Sequence, residues 1–202
     1  MNGRNREQKS AMPLFVVTDV RVLESNARPL ERNFRLVWVV RRERAEQLAL
    51  VADSAAAQGA RAVRLTPWRA ILVAGLAPEG AQNLVATLAD AGLVVDSADP
   101  VLSVVACPGA PDCESSSVVT HAPALALASL FAGVAPATRL HVTGCPKGCA
   151  HPRPAPFTLV GRNGGFDLVV DGAPDAAPVA TGLDAAAAHC EIARRMSQSA
   201  PT

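Results

Sequence analysis

The sequence predicts an α/β (α+β) chain: a ferredoxin-like βαββαβ half-domain followed by an α/β lobe. Three observations predict it. Between residues 34 and 95 the apolar pattern runs strand, helix, strand, strand, helix, strand, which is the order of the split βαβ unit. From Val101 onward strand-like runs return, and two of them lead directly into segments rich in Gly and Pro. The lobe closes on an Ala-rich helical stretch.

Element by element, residues 15–22 read as one strand, and residues 26–33, with Pro29 and several charges, as a loop. Residues 34–40 are a β-rich apolar run. Residues 44–58 place Ala45, Leu48, Val51, Ala52 and Ala55 on one helical face, and Gly59 stops the helix. Residues 60–65 form a second strand, with Val63 and Leu65 inward and Arg64 on the opposite face. The Thr66-Pro67-Trp68 break separates it from a strand over 69–74. Residues 78–91 turn Ala81, Leu84, Val85 and Leu88 inward on a second helix that ends at Gly92. A fourth strand follows at 93–95.

In the second lobe, residues 101–106 form a strand that delivers Cys107. A helix over 122–132, with Pro123 in its first turn, ends at Gly133. Residues 139–143 form the strand that delivers Cys145. Residues 157–160 and 166–170 flank Arg162-Asn163-Gly164-Gly165 and read as a hairpin. Residues 171–181 read as a loop, and residues 184–196 as a helix with Asp184 as N-cap. The expected organisation is a tail and lead-in over 1–33, the half-domain over 34–99, the lobe over 100–196 and a tail over 197–202.

Composition excludes several function classes. The net charge of +1 makes no electrostatic case for nucleic acid. Aromatics make up 3% and there is no tyrosine, which argues against base stacking and aromatic sugar platforms. No stretch approaches the roughly 20 apolar residues of a membrane span. The polar, basic start of the chain has no adjoining apolar core, so it does not read as a secretory signal. With reduced thiols required, the expected location is the cytoplasm.

The chemistry is concentrated in four of the five cysteines. Cys107-Pro-Gly-Ala-Pro-Asp-Cys113 has the spacing C-x5-C, and Gly144-Cys145-Pro-Lys-Gly-Cys149 has C-x3-C. Two loop-borne thiolate pairs make a soft-metal site. A structural zinc is one reading, although zinc knuckles usually run from C-x2-C to C-x4-C and C-x5-C is wide. The odd cysteine count and the lack of a secretory signal argue against disulfides. A [4Fe–4S] cluster, larger than one ion and held by four thiolates, suits wide and unequal spacing. Cys190 lies in the Ala-rich helix and reads as a buried small apolar residue.

Three stretches together resemble the sulfite/nitrite reductase superfamily, in which C-x5-C and C-x3-C hold a [4Fe–4S] cluster beneath a tetrapyrrole. They are Arg64-Leu-Thr-Pro-Trp-Arg69, Ala106-Cys-Pro-Gly-Ala-Pro-Asp-Cys113 and Gly144-Cys-Pro-Lys-Gly-Cys-Ala-His-Pro152. Sulfite reductases typically show Asn where this chain has Lys147, so Lys-Gly-Cys-Ala-His-Pro is more similar to the precorrin-3B synthase family of aerobic cobalamin biosynthesis. The resemblance runs over roughly residues 34–195. It implies the cluster ligands Cys107, Cys113, Cys145 and Cys149. It implies an oxidoreductase, a monooxygenase acting on precorrin-3A with the cluster as electron relay. The alternatives are a sirohaem sulfite or nitrite reductase fragment, a non-catalytic [4Fe–4S] electron-transfer subunit and a zinc-stabilised binding domain.

The resemblance also implies partners. Precorrins carry many carboxylates, and Arg64 and Arg69, flanking the Thr66-Pro67 break, offer guanidinium forks that bind carboxylates bidentately. Lys147, between two ligands, would offset cluster charge or pair with a substrate carboxylate. His151, two residues after the last ligand, is a candidate hydrogen-bond donor or proton carrier. Trp68 reads as core or as a macrocycle contact, and His121, His141 and His189 read as structural. A protein donor or an NAD(P)H-linked reductant would supply electrons. Family members carry two copies of this unit, and the chain resembles the second, so a second chain or self-association is expected to supply the other copy.

Overall fold

A computed structural model of the chain describes residues 22–23, 33–37, 45–65, 70–134 and 137–198. The tail, the loop over 26–32, and Thr66, Pro67, Trp68 and Arg69 lie outside the described residues.

The first sheet is antiparallel, with strands β1 (Val22–Leu23), β2 (Asn33–Val37), β3 (Ala62–Leu65) and β4 (Ala70–Ala74) in the order β1-β2-β4-β3. Helix α1 (Ala45–Ala57) joins β2 to β3, and α2 (Pro78–Asp90) follows β4. Pro78 opens α2 at a position where its missing N–H costs nothing. Ala81, Leu84 and Leu88 recur at helical spacing and are buried, and the helix ends before Gly92, whose φ is +76°. They pack with Val51 and Ala55 of α1 and with Ile71 and Val73 of β4 into one apolar cluster.

This is the expected ferredoxin-like arrangement with one element exchanged. The strand expected at 93–95 does not form, and the edge beside β2 is taken by β1. Three apolar residues are a short strand, and the Asp96 turn closes at once behind them, with the Ala98 N–H on Asp96 Oδ1 at 2.8 Å. Leu93 and Val95 pack on the first cluster while Val94 packs on the second. Val63 and Leu65 share the face of their core partners Val73 and Ile71, as expected, yet they are 40% and 73% exposed because β3 is the edge strand. In α1 only Val51 and Ala55 are buried; Leu48, also expected inward, is 40% exposed.

The second sheet runs β5 (Val104–Ala106), β6 (Leu140–Thr143), β7 (Ala155–Arg162), β8 (Gly165–Gly172) and β9 (Ala180–Leu183) in that spatial order. The first three are parallel and the last three antiparallel. The start of the expected strand over 101–106 is a 3-10 turn, Pro100–Ser103. Helix α3 (His121–Ala128) crosses from β5 to β6 and continues as a 3-10 turn over Ser129–Phe131. The hairpin β7–β8 pairs Arg162 with Gly165 around Asn163 and Gly164, both at positive φ, as a two-residue hairpin turn demands. Strand β9 begins inside the segment 171–181 that the sequence reads as loop. Its Ala and Gly carry little strand signal, and its pairing with β8 is irregular.

The closing helix α4 (Ala185–Gln198) is capped as expected, with the Ala187 N–H on Asp184 Oδ1 at 2.7 Å. Cys190, expected buried, is exposed. In so Ala-rich a segment the apolar pattern does not single out one face, and it is Ala188 and Ile192 that turn inward.

The two faces of this sheet differ. Val104, Ala106, Leu140, Val142, Phe157, Leu159, Phe166 and Leu168 share one face and join Leu127 of α3 and Ile192 of α4 in the apolar cluster. Register and the two-residue side-chain period put Val105, His141, Thr143, Thr158, Val160, Asp167 and Val169 on the other face. These are buried as well, yet they are mostly polar. The reason lies in the connection from β6 to β7. Parallel neighbours oblige the chain to return the length of the strand across one face. Since α3 and α4 fill the apolar face, residues 144–154 return over the polar one.

Candidate functional site

The cysteine loops leave β5 and β6 at the same end. The Cys107 N–H still continues the parallel ladder onto the Val142 carbonyl at 3.1 Å. Thr120 then turns the first loop back by donating its hydroxyl to the Cys107 carbonyl, and His121 Nε2 lies 3.1 Å from the same oxygen. Within that loop the Cys113 N–H donates to the Gly109 carbonyl at 2.8 Å, and the Ala110 N–H to the Val118 carbonyl at 2.8 Å. In the second loop Thr143 Oγ1 donates to the Cys145 carbonyl at 2.9 Å. Each loop is thus held by its own strand and its own turns.

The two loops are also tied to each other. The Gly144 N–H donates to Cys107 Sγ at 3.1 Å. Lys147 Nζ, exposed, donates to Ser115 Oγ at 3.0 Å. A Cβ on Gly144 would lie 1.9 Å from Ser116 Oγ, so only glycine permits this approach. Burial is graded: Cys107 is buried, Cys113 and Cys145 are half-buried, and Cys149 is exposed. All five cysteines are free thiols.

The donor set suits a soft metal centre: four thiols on two cross-tied loops, with a backbone N–H already directed at one sulfur. Among the described residues no three Cys, His, Asp or Glu side chains are gathered closely enough to hold one metal ion. Four thiolates are the ligand type of an iron–sulfur cluster, so it is by donor chemistry that the set fits such a group.

Sequence reasoning missed the histidine beneath the second loop. His141, expected to be structural, lies in β6 between Val105 and Thr158, at 0% exposure. Neither ring nitrogen has a hydrogen-bond partner among the described residues. Burial, and secondarily the neighbouring His151, pushes its pKa down to about 4, so the ring is neutral near pH 7. Its ring meets that of His151 edge-on, with centroids 5.7 Å apart. The signal that could have found it is a His in an otherwise apolar strand, followed by a helix-free return to a parallel neighbour.

Arg64 is exposed on the edge strand β3, and Arg69 lies outside the described residues. Two clefts lie apart from the cysteines: one of about 550 Å³ at the β7–β8 turn, and one of about 740 Å³ beside Phe131, Arg139 and Met196. No helix among the described residues is long and apolar enough to cross a membrane.

No family model matches the chain. A precorrin-3B synthase from Sinorhizobium sp is 36% identical over 141 residues, covering 67% of this chain and 30% of that protein. The solved structure of the Mycobacterium tuberculosis NirA protein superimposes with a TM-score of 0.65 at 21% identity, covering 82% of this chain and 34% of that one. The chain therefore spans about a third of the length of each. The sequence match bears out the resemblance to precorrin-3B synthase, and the structural match shows a fold shared with the NirA protein.

Proposed function

We propose that this chain is the [4Fe–4S]-bearing half of an oxidoreductase of aerobic cobalamin biosynthesis, precorrin-3B synthase-like, that oxidises precorrin-3A. The observation that carries the reading is the pair of cysteine loops leaving adjacent parallel strands at one end, tied together by the Gly144 N–H on Cys107 Sγ at 3.1 Å. The 36% identity to a precorrin-3B synthase supports it.

On this reading residues 34–99 are the half-domain and 100–196 the cluster lobe. Cys107, Cys113, Cys145 and Cys149 are the cluster ligands. A [4Fe–4S] cluster held there supplies one-electron transfer. The Gly144 N–H stabilises the Cys107 thiolate by a charge-assisted hydrogen bond. Lys147, held over the loops by Ser115, offsets negative charge or meets a substrate carboxylate. Arg64 and Arg69 clamp further carboxylates of the tetrapyrrole, and His151 supplies a hydrogen bond beside the last ligand. Electrons come from a protein donor or an NAD(P)H-linked reductant. A second chain or a second copy of this one completes the tetrapyrrole pocket, in the cytoplasm.

The test is an absorption titration of the anaerobically purified chain with precorrin-3A. Saturable binding to a chain free of any macrocycle iron supports the proposal. A tightly bound sirohaem that co-purifies would replace it with the sirohaem reading, and a cluster-bearing chain that binds neither would leave an electron-transfer subunit.

A further inference from the structure

We propose that His141 is a positioning residue of the cysteine-loop site, whose ring N–H donates a hydrogen bond to the sulfur ligands of the bound cluster, with His151 fixing the ring. This inference rests on the cluster reading above.

Four observations carry it. First, a neutral imidazole has one N–H and one lone pair, and burying either without a partner is unfavourable. His141 is wholly buried and both of its nitrogens are unpaired, so the protein carries that cost in the middle of a central strand. Leu140 and Val142 on either side face the apolar cluster, and nothing in the packing of the sheet calls for histidine between them.

Second, His141 is placed beside a ligand candidate. Val105 is its register partner on β5, and the ladder continues through the Cys107 N–H onto Val142. Cys107 therefore follows Val105 on the same face of the neighbouring strand, level with Thr143 and one pleat beyond His141. Neither Val105 nor Cys107 joins the apolar cluster that Val104 and Ala106 enter from the opposite face.

Third, the ring is held from above. His151 lies at the end of the returning second loop, and its ring meets His141 edge-on at 5.7 Å. A second aromatic ring limits rotation about the last side-chain bond and so aims the nitrogens. Fourth, the ring keeps its neutral form well below pH 7, which leaves one N–H to give and no charge to solvate.

Hydrogen bonds to the sulfurs are among the terms that set the reduction potential of an iron–sulfur cluster. Each donor favours the reduced, more negative state. The His141 N–H would add to the donation that the Gly144 N–H makes to Cys107 Sγ at 3.1 Å.

The experiment compares His141→Gln, which keeps an N–H donor, with His141→Met, of similar size and without one. Iron and sulfide content of the unaltered chain is measured first. A chain that takes up no cluster overturns the cluster reading and this inference with it. With the cluster present, reduction potentials are read by EPR-monitored titration and Fe–S stretches by resonance Raman. The inference expects His141→Met to have a lower potential and shifted stretches, while His141→Gln stays nearer the unaltered chain. Equal potentials and unshifted stretches in both variants overturn it and leave the cluster reading standing. Should the Met variant fail to fold, His141→Asn replaces Gln and His141→Leu replaces Met, and the same ordering is required.

Discussion

The backbone N–H of Gly144 donates to the sulfur of Cys107 at 3.1 Å, so a residue of the second cysteine loop is fastened to the first thiol of the other loop. That contact exists because β5 and β6 are adjacent and parallel and because the chain beyond Thr143 passes very close to its neighbours. A Cβ on Gly161 of β7 would lie 2.6 Å from the Gly144 carbonyl oxygen and 2.4 Å from Val118.

That crowding gives the first prediction. Backbone cannot rotate away as a side chain can, so Gly161→Ala is expected to cost ~1–3 kcal/mol as an overpacking substitution. The displaced Gly144 would release Cys107, which is buried. Urea unfolding and the rate of thiol alkylation check both effects together. Unchanged stability with unchanged Cys107 protection would contradict this account of the loop.

Lys147 and Ser115 join the loops at the surface, and exposed contacts of this kind contribute little to folding. Lys147→Asn is therefore expected to leave stability within ~0.5 kcal/mol. Binding of a polycarboxylate tetrapyrrole should weaken, because a cation has been removed. Equilibrium binding alongside unfolding separates the two, and unchanged affinity would mark the lysine as bystander surface.

Burial of His141 makes the metal-free chain sensitive to mild acid. The folded ring stays neutral down to about pH 4, while the unfolded ring takes up a proton near 6.5. Between those values the unfolded state binds more protons, so stability is full above about pH 6.5 and falls as the pH drops toward 4. The loss is up to ~3 kcal/mol. His141→Leu should flatten this dependence, as measured by urea midpoints at pH 7 and pH 4.5. An equal acid loss in the variant would contradict the assignment to His141.

The cap of α4 offers a local test. Asp184→Ala removes the acceptor for the Ala187 N–H and should cost ~1 kcal/mol in thermal or urea unfolding. A cost near zero would mean that this helix end is satisfied by water as well as by its cap.

What the sequence shows well is local. The α2 helix is legible because Pro78, the Ala81-Leu84-Leu88 spacing and Gly92 all agree. The Asp184 cap and the Asn163-Gly164 turn are legible for the same reason. What it shows poorly is decided by neighbours. Alternation marks Leu65 as inward, but an edge strand has nothing beside it to bury that side chain. The 93–95 strand fails because a distant segment, β1, takes its place. At the site, the cysteine spacing announces a soft centre on its own, whereas His141 becomes conspicuous only when the return of residues 144–154 closes a polar face over it.

The most direct measurement is the iron, acid-labile sulfide and zinc content of the chain purified without oxygen. About four irons and four sulfides per chain are expected, lost when Cys107 or Cys145 is replaced by Ser. Stoichiometric zinc without sulfide would contradict it and leave a zinc-stabilised binding domain.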